Sequence, residues 1–165
     1  MPTAGWGPLV ADPAVGLGFD VHRFSEGRPL WLGGLLFEGE PGLAGHSDGD
    51  VVCHAIADAL LGAVALGDVG EHFPDTDPDT ERMTGADLLG RTVGLLAAGG
   101  RAPVSVDVTI VGERPAIAPR RFELRERLAR ITGLTVYRVS VKATRPEGLG
   151  LTGDGIGCLA LAVVA

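Results

Sequence analysis

The chain has 165 residues, 45% apolar and 5% aromatic, with 26 glycines, two cysteines and a formal net charge of −7. That is the length of one domain able to bury roughly two thirds of its unfolded surface, and the composition suits a compact α/β protein rather than a disordered chain. The acidic balance argues against nucleic acid or an anionic membrane as the main partner, although a bound cation could still reverse the local field for a phosphorylated substrate.

No apolar run reaches the ~20 residues that span a bilayer. The first residues lack the basic region and apolar core of a signal peptide, so a cytoplasmic location is expected. Residues 1–14, with three prolines and no periodicity, read as a flexible arm, and residues 15–165 as a single domain. Val15 to Phe24 alternates like a strand. Asp20 and His22, two apart, would project from the same face. Pro29 to Phe37 reads as a second strand, broken or bulged at Gly33-Gly34. Glu38 to Gly45 is loop.

The stretch from His46 to Asp58 holds two His and three Asp and runs into an apolar helical pattern ending near Gly67. Ser47 followed by Asp50 suggests a capping-box start. Asp50, His54 and Asp58 would then share one stripe of the helix. His46 and Ser47 would precede a helix N-terminus, where free N–H groups and the macrodipole favour an anion. With Asp20 and His22 nearby, His54 completes a three-ligand set that leaves one position open, as in a catalytic zinc site. The later part of this helix is apolar nearly all round, which suggests burial on more than one side, against a neighbouring subunit among the options.

Residues 68–79 form a loop rich in Asp, Pro and Gly. Its five carboxylates read as a solvated turn region, or as groups that bind sugar hydroxyls. Thr84 starts a second helix stopped by Gly99-Gly100. Val104 to Val111 alternates as a strand, and residues 112–119 are loop. A third helix opens at Pro119, carries a basic face and stops at Gly133. Val136 to Thr144 is a strand, residues 148–157 are glycine-rich, and Cys158 to Ala165 closes the chain as a strand. Cys53 and Cys158 lack any CxxC spacing and read as buried thiols. The order β-β-α-α-β-α-β-β implies an α/β (α+β) fold, a single mixed β-sheet with helices packed on one face.

These motifs together resemble the 2-C-methyl-D-erythritol 2,4-cyclodiphosphate synthase family. The matching stretches are Gly18–Phe24, His46–His54 with Asp58–Gly62, Gly67–Pro78, Asp107–Val111, Lys142–Thr144 and Leu149–Gly153, in the family's order over residues 15–165. The His-Ser-Asp-Gly-Asp-x-x-x-His block is the most specific of them. The resemblance implies a homotrimer with active sites between adjacent subunits. It implies a divalent metal, usually Zn²⁺, on Asp20, His22 and His54, and Mg²⁺ or Mn²⁺ near Glu147. The implied substrate is 4-diphosphocytidyl-2-C-methyl-D-erythritol 2-phosphate. Its 2-phosphate attacks the β-phosphorus, CMP leaves and a cyclic diphosphate forms.

By the same resemblance His46 and Ser47 contact phosphate, His46 stabilises the transition state, and Asp20, Val21 and His22 are among the substrate-binding positions. Asp68, Val69, Gly70, Phe73, Pro74, Asp75, Thr76 and Asp77 match the loop that binds the methylerythritol. Gly112, Glu113, Arg114, Pro115, Ala116, Ile117 and Ala118 match the cytidine pocket. Thr144, Arg145, Pro146 and Glu147 match the segment that contacts the diphosphate, and Leu151 and Asp154 match further substrate-binding positions. Asp50 and Asp58 read as orienting or capping residues.

The chain departs from the pattern in three places. Thr144-Arg145-Pro146-Glu147 stands for Thr-Thr-Thr-Glu, so a guanidinium occupies the position whose hydroxyl stabilises the transferring phosphate, and Arg145 becomes the second catalytic candidate. Ala116 replaces a Lys of the cytidine loop. Asp154 replaces an Arg near the trimer axis, which predicts weak or absent binding of isoprenoid diphosphates in the central cavity. A catalytically impaired trimer kept for structure or interaction, and a generic metal-dependent phosphohydrolase, stay open as alternatives at this level.

Overall fold

The computed structural model describes residues 12–45, 47–74, 76, 80, 83–150 and 152–165. Five strands form one mixed sheet in the order β2-β1-β5-β3-β4. They are β1 (Ala14–Leu32), β2 (Leu35–Leu43), β3 (Pro103–Val111), β4 (Val139–Thr144) and β5 (Gly155–Val164). Only β3 and β4 run parallel; the other neighbours are antiparallel. The helices are α1 (Val51–Ala63), α2 (Val69–His72), α3 (Gly85–Ala98) and α4 (Arg121–Thr132). Helix α1 lies across β1 and β5, with α3 and α4 beside it on the same face.

The two strands expected from 15–24 and 29–37 are not separate strands broken at Gly33-Gly34. Residues 15–24 and 29–32 belong to one strand, β1, whose register slips between Ser25 and Leu30, while residues 35–37 open β2, which runs on to Leu43 through part of the expected loop. Gly33 and Gly34, with φ of 61° and 70°, form the two-residue turn of the β1–β2 hairpin. Two successive left-handed residues match the twist of a tight hairpin, and only glycine takes both without strain.

Helix α1 starts at Val51 because Asp50 caps it, accepting the N–H groups of Val52 and Cys53 at 3.1 Å. The cap is therefore Asp50 rather than Ser47. Asp50 is fully buried, and the same carboxylate also accepts Gly33 N–H at 2.8 Å and Gly34 N–H at 2.6 Å. It thus staples the hairpin turn to the helix start and does not join a stripe with His54 and Asp58. The all-round apolar character of α1 is satisfied within the chain, because the sheet covers one side and α3 the other. No neighbouring subunit is needed to bury it. Closeness of α1 to β1 depends on Gly16 and Gly18: a Cβ at either would overlap a carbonyl oxygen of α1, Ala59 for the first and Ala55 for the second.

Other boundaries shift by a few residues. Ala14 already belongs to β1, so the described part of the expected arm is only residues 12–13; residues 1–11 lie outside the described residues. Residues Val136–Arg138 form a 3-10 turn before β4, and β5 begins at Gly155 rather than Cys158. Helix α3 is capped by Thr84, as expected, and α4 ends at left-handed Gly133. Cys53 and Cys158 are free and buried.

Among the described residues no helix covers the sheet's other face. Alternation on β1 and β5 sends Gly16, Gly18, Cys158, Ala160 and Ala162 toward α1 and leaves Val15, Leu17, Phe19, Val21, Leu159 and Leu161 outward. Leu17 is 68% exposed and Phe19 52%.

Candidate active site

Strand β1 carries Asp20 and His22 two residues apart, and α1 crosses over it with His54 one turn from its start. Asp20 Oδ2 stands 2.9 Å from His22 Nε2 and 3.1 Å from His54 Nδ1. The imidazoles meet edge to face at 5.8 Å between centroids. Among the described residues these three form the one His, Cys, Asp or Glu cluster close enough to hold a metal, their ligand atoms all within 4.8 Å of one another.

The donor set fits a divalent ion. Three lone-pair atoms converge on one point, two of them imidazole nitrogens, which suits zinc and its neighbours. His22 Nε2 is buried and lacks a well-aligned hydrogen bond despite its closeness to Asp20. A buried nitrogen without a hydrogen bond is costly unless another ligand takes it. Burial works against the Asp20 charge, but both imidazoles outweigh it and hold this carboxyl well below the usual carboxylate range. Burial also works against a charged His54. The hydrogen bond and charge of Asp20 prevail, so His54 titrates above its ordinary value.

The triad opens into a cavity lined also by Gly45, Ser47, Asp58, Val69, Phe73, Thr80, Met83 and Leu88. Asp58, one turn beyond His54 on α1, accepts Val69 N–H at 2.8 Å. Burial pushes the Asp58 carboxyl to titrate above its ordinary value, partly countered by that amide. Asp68 caps α2 by accepting Glu71 N–H at 3.0 Å. This four-residue helix has no counterpart in the sequence reading. Gly70 and Thr76 are exposed near it, and Pro74 O accepts the Thr80 hydroxyl at 2.7 Å. Val21 turns its side chain to the helix-free face, while its N–H donates to Asp20 Oδ1 at 2.9 Å.

A second pocket is lined by Ile110, Gly112, Arg114, Pro115, Ala116, Ile117, Ala118, Arg121, Ala143, Thr144 and Arg145. It gathers the whole expected cytidine loop except Glu113, together with Thr144 and Arg145. Glu113 instead accepts Gly148 N–H at 3.3 Å, tying this loop to the one after β4. The Arg114 guanidinium lies 4.9 Å from the Phe24 ring centroid. Pro146 is buried, and Glu147 is exposed with φ of 52°. Asp154 shares a surface hollow with Arg23 of β1, Phe24, Thr152 and Gly153. His46, Asp75, Asp77 and Leu151 lie outside the described residues.

The two pockets share no lining residue. One sits between β1 and α1, the other at the ends of β3 and β4 with β5 between them.

Comparison with known proteins agrees with this arrangement. The 2-C-methyl-D-erythritol 2,4-cyclodiphosphate synthase of Trichlorobacter lovleyi is 52% identical over 150 residues, covering 91% of this chain and 96% of that one. The enzyme of that name from Symbiobacterium thermophilum is 50% identical over 153 residues, covering 92% and 98%. A solved 2C-methyl-D-erythritol-2,4-cyclodiphosphate synthase in its CDP-bound form superimposes with a TM-score of 0.85 at 36% identity, covering 92% of this chain and 99% of that one. Residues 14–165 match the YgbB family, and the chain belongs to it, among the 2-C-methyl-D-erythritol 2,4-cyclodiphosphate synthases.

Proposed function

We propose that the chain is a metal-dependent cyclase that converts 4-diphosphocytidyl-2-C-methyl-D-erythritol 2-phosphate into 2-C-methyl-D-erythritol 2,4-cyclodiphosphate and CMP. The observation that carries this reading is the convergence of Asp20, His22 and His54 in a cavity walled by Ser47 and the Val69–Phe73 segment. In the reaction an oxygen of the 2-phosphate attacks the β-phosphorus. The bond from that phosphorus to the oxygen bridging it to CMP breaks, and CMP leaves. Such transfers demand positioning and charge stabilisation more than covalent work from the protein.

A Zn²⁺ ion on Asp20, His22 and His54 would polarise a phosphoryl oxygen from its open position. Asp20 fixes both imidazoles by its position between them. Asp58 holds Val69, and with it the wall against which the methylerythritol sits. Asp68, Val69, Gly70, Phe73, Pro74, Asp75, Thr76 and Asp77 form that sugar site. His46 and Ser47 hold phosphate, and His46 stabilises the transition state. Gly112–Ala118 take the cytidine, and Thr144 to Glu147 with Leu151 take the diphosphate side. Glu147 contributes to Mg²⁺ or Mn²⁺ binding there. Arg145 supplies charge in place of a hydroxyl.

The working unit is a homotrimer. One substrate molecule must reach both the metal and the cytidine pocket, yet these are separate hollows on one chain. Pairing the metal cavity of one subunit with the cytidine pocket of the next resolves this. The uncovered apolar face of β1 and β5 supplies a surface for that association, since exposed apolar patches of this kind mark interfaces. Release of CMP from the cytidyl substrate, lost on chelation and restored by added Zn²⁺ and Mg²⁺, tests the reading. No CMP under any metal would refute it.

A further inference from the structure

We propose that Arg28 is a positioning residue for the phosphate-facing loop, locking the backbone around Ser47 in the conformation that the cavity uses. The inference rests on the reading that this cavity takes a phosphorylated substrate.

Arg28 sits near the end of β1, in the stretch where its register slips against β2. One terminal nitrogen of its guanidinium donates to Gly45 O at 2.7 Å. The other donates to Ser47 O. Both gripped residues line the metal cavity. Among the described residues Arg28 has no carboxylate partner, so its fork is spent on the two carbonyls rather than on an ion pair. A planar guanidinium suits two acceptors held at a fixed spacing, whereas an ammonium can satisfy only one in that geometry.

The grip has work to do. Ser47 has φ of 60°, a left-handed conformation that non-glycine residues hold only where surroundings impose it. On the other flank of the loop, Asp48 accepts Gly85 N–H at 3.0 and 3.1 Å and Asp50 N–H at 3.3 Å. Gly85 is pinned in turn, since a Cβ there would stand 2.6 Å from Asp50 Cβ. The loop is thus held to β1 by the Arg28 cation and to α3 by its own Asp48 carboxylate, which accepts the Gly85 N–H. A carbonyl presents its negative end, and two of them free to turn into the cavity would oppose a phosphate. Arg28 binds both oxygens and places a positive charge behind the loop, in a chain whose net charge is −7.

The test uses the full chain loaded with Zn²⁺ and compares it with Arg28→Met and Arg28→Lys. Calorimetric binding of inorganic diphosphate reads the anion site without requiring turnover. Chelator competition reads metal affinity. The expected result for Arg28→Met is a loss of diphosphate affinity of about tenfold and of kcat of roughly 10²-fold, the scale of a small misplacement of a reacting group, with metal affinity unchanged. Added guanidinium ion should recover part of the kcat, and Arg28→Lys should fall between. Unchanged diphosphate affinity and kcat in Arg28→Met would overturn the proposal. So would equal losses of metal affinity and thermal stability without guanidinium recovery, which would make Arg28 a general structural residue. If the parent protein releases no CMP, the cyclase reading fails, and the diphosphate titration still decides the role of Arg28.

Discussion

Replacing Asp50 by Asn is the sharpest probe of how the site is supported. The Asp50 carboxylate is fully buried and accepts four backbone N–H groups: Gly33, Val52 and Cys53 on Oδ1, and Gly34 on Oδ2. An Asn oxygen placed at Oδ1 keeps three of these bonds. Its amide then faces Gly34 N–H, where the present separation is 2.6 Å, and two donors oppose each other. A buried hydrogen bond to a charged group contributes about 1.5–3 kcal/mol, and the surviving bonds weaken as the charge goes. We expect a loss of about 3 kcal/mol, or a fall in Tm of roughly 10 °C for a domain of this size. Zinc affinity should change by well under tenfold, because the carboxylate binds the hairpin turn and reaches His54 only through its charge. Differential scanning calorimetry with chelator competition measures both. A Tm within a degree of the parent, or a tenfold loss of zinc affinity without a Tm change, would refute this account of Asp50.

His54→Ala should abolish stoichiometric zinc binding and lower CMP release by at least about 10²-fold, read by metal analysis and turnover, with the fold retained by circular dichroism. Zinc affinity should rise with pH by about tenfold per unit below the raised titration point of His54, because its proton must leave before Nδ1 can ligate. The metal-free protein should behave oppositely. The His54 contribution to stability is fully present below its unfolded value and is lost as pH rises through the raised one, while that of Asp20 is lost only as pH falls below the ordinary carboxylate range. A pH series of Tm values with and without chelator checks both signs. Gly18→Ala should cost about 3 kcal/mol, because its Cβ would overlap Ala55 O and push α1, with His54, off β1; unfolding in urea measures it. Leu17→Asp, on the uncovered sheet face, should shift sedimentation velocity toward the monomer and remove CMP release together.

The metal triad was legible in the sequence because its spacing is geometric. An Asp-x-His pair on an alternating strand and a His on a capped helix can meet in few ways, and Asp20, His22 and His54 do meet. Helix α3 was legible from its Thr84 cap and glycine stop, and α4 from its stop at Gly133, although Pro119 lies in the 3-10 turn just before it. The β1–β2 hairpin was not. Apolar residues run on both sides of Gly33-Gly34, and periodicity alone does not separate a bulge from a turn. The role of Asp50 was hidden for a related reason. Its partners are backbone N–H groups 16 and 17 residues away, and such donors leave no mark on side-chain spacing. The clamp by Arg28 is invisible in the same way, since its partners are carbonyls. Helix α1 reads as apolar all round, but a pattern does not say what covers it; here that is the sheet and α3. Four-residue α2 spans barely one turn, too short for an apolar period to repeat and announce it.

The central claim is that the cavity beside Asp20, His22 and His54 closes a ring rather than adding water. Phosphorus NMR of the purified protein with 4-diphosphocytidyl-2-C-methyl-D-erythritol 2-phosphate, Zn²⁺ and Mg²⁺ in ¹⁸O-labelled water addresses it directly. The account predicts CMP together with a cyclic diphosphate signal and no ¹⁸O in either product. Linear phosphate products carrying ¹⁸O would contradict it and make the protein a hydrolase. No turnover, with zinc still bound by His22 and His54, would contradict it as well and leave a chain of the synthase fold that has lost its chemistry.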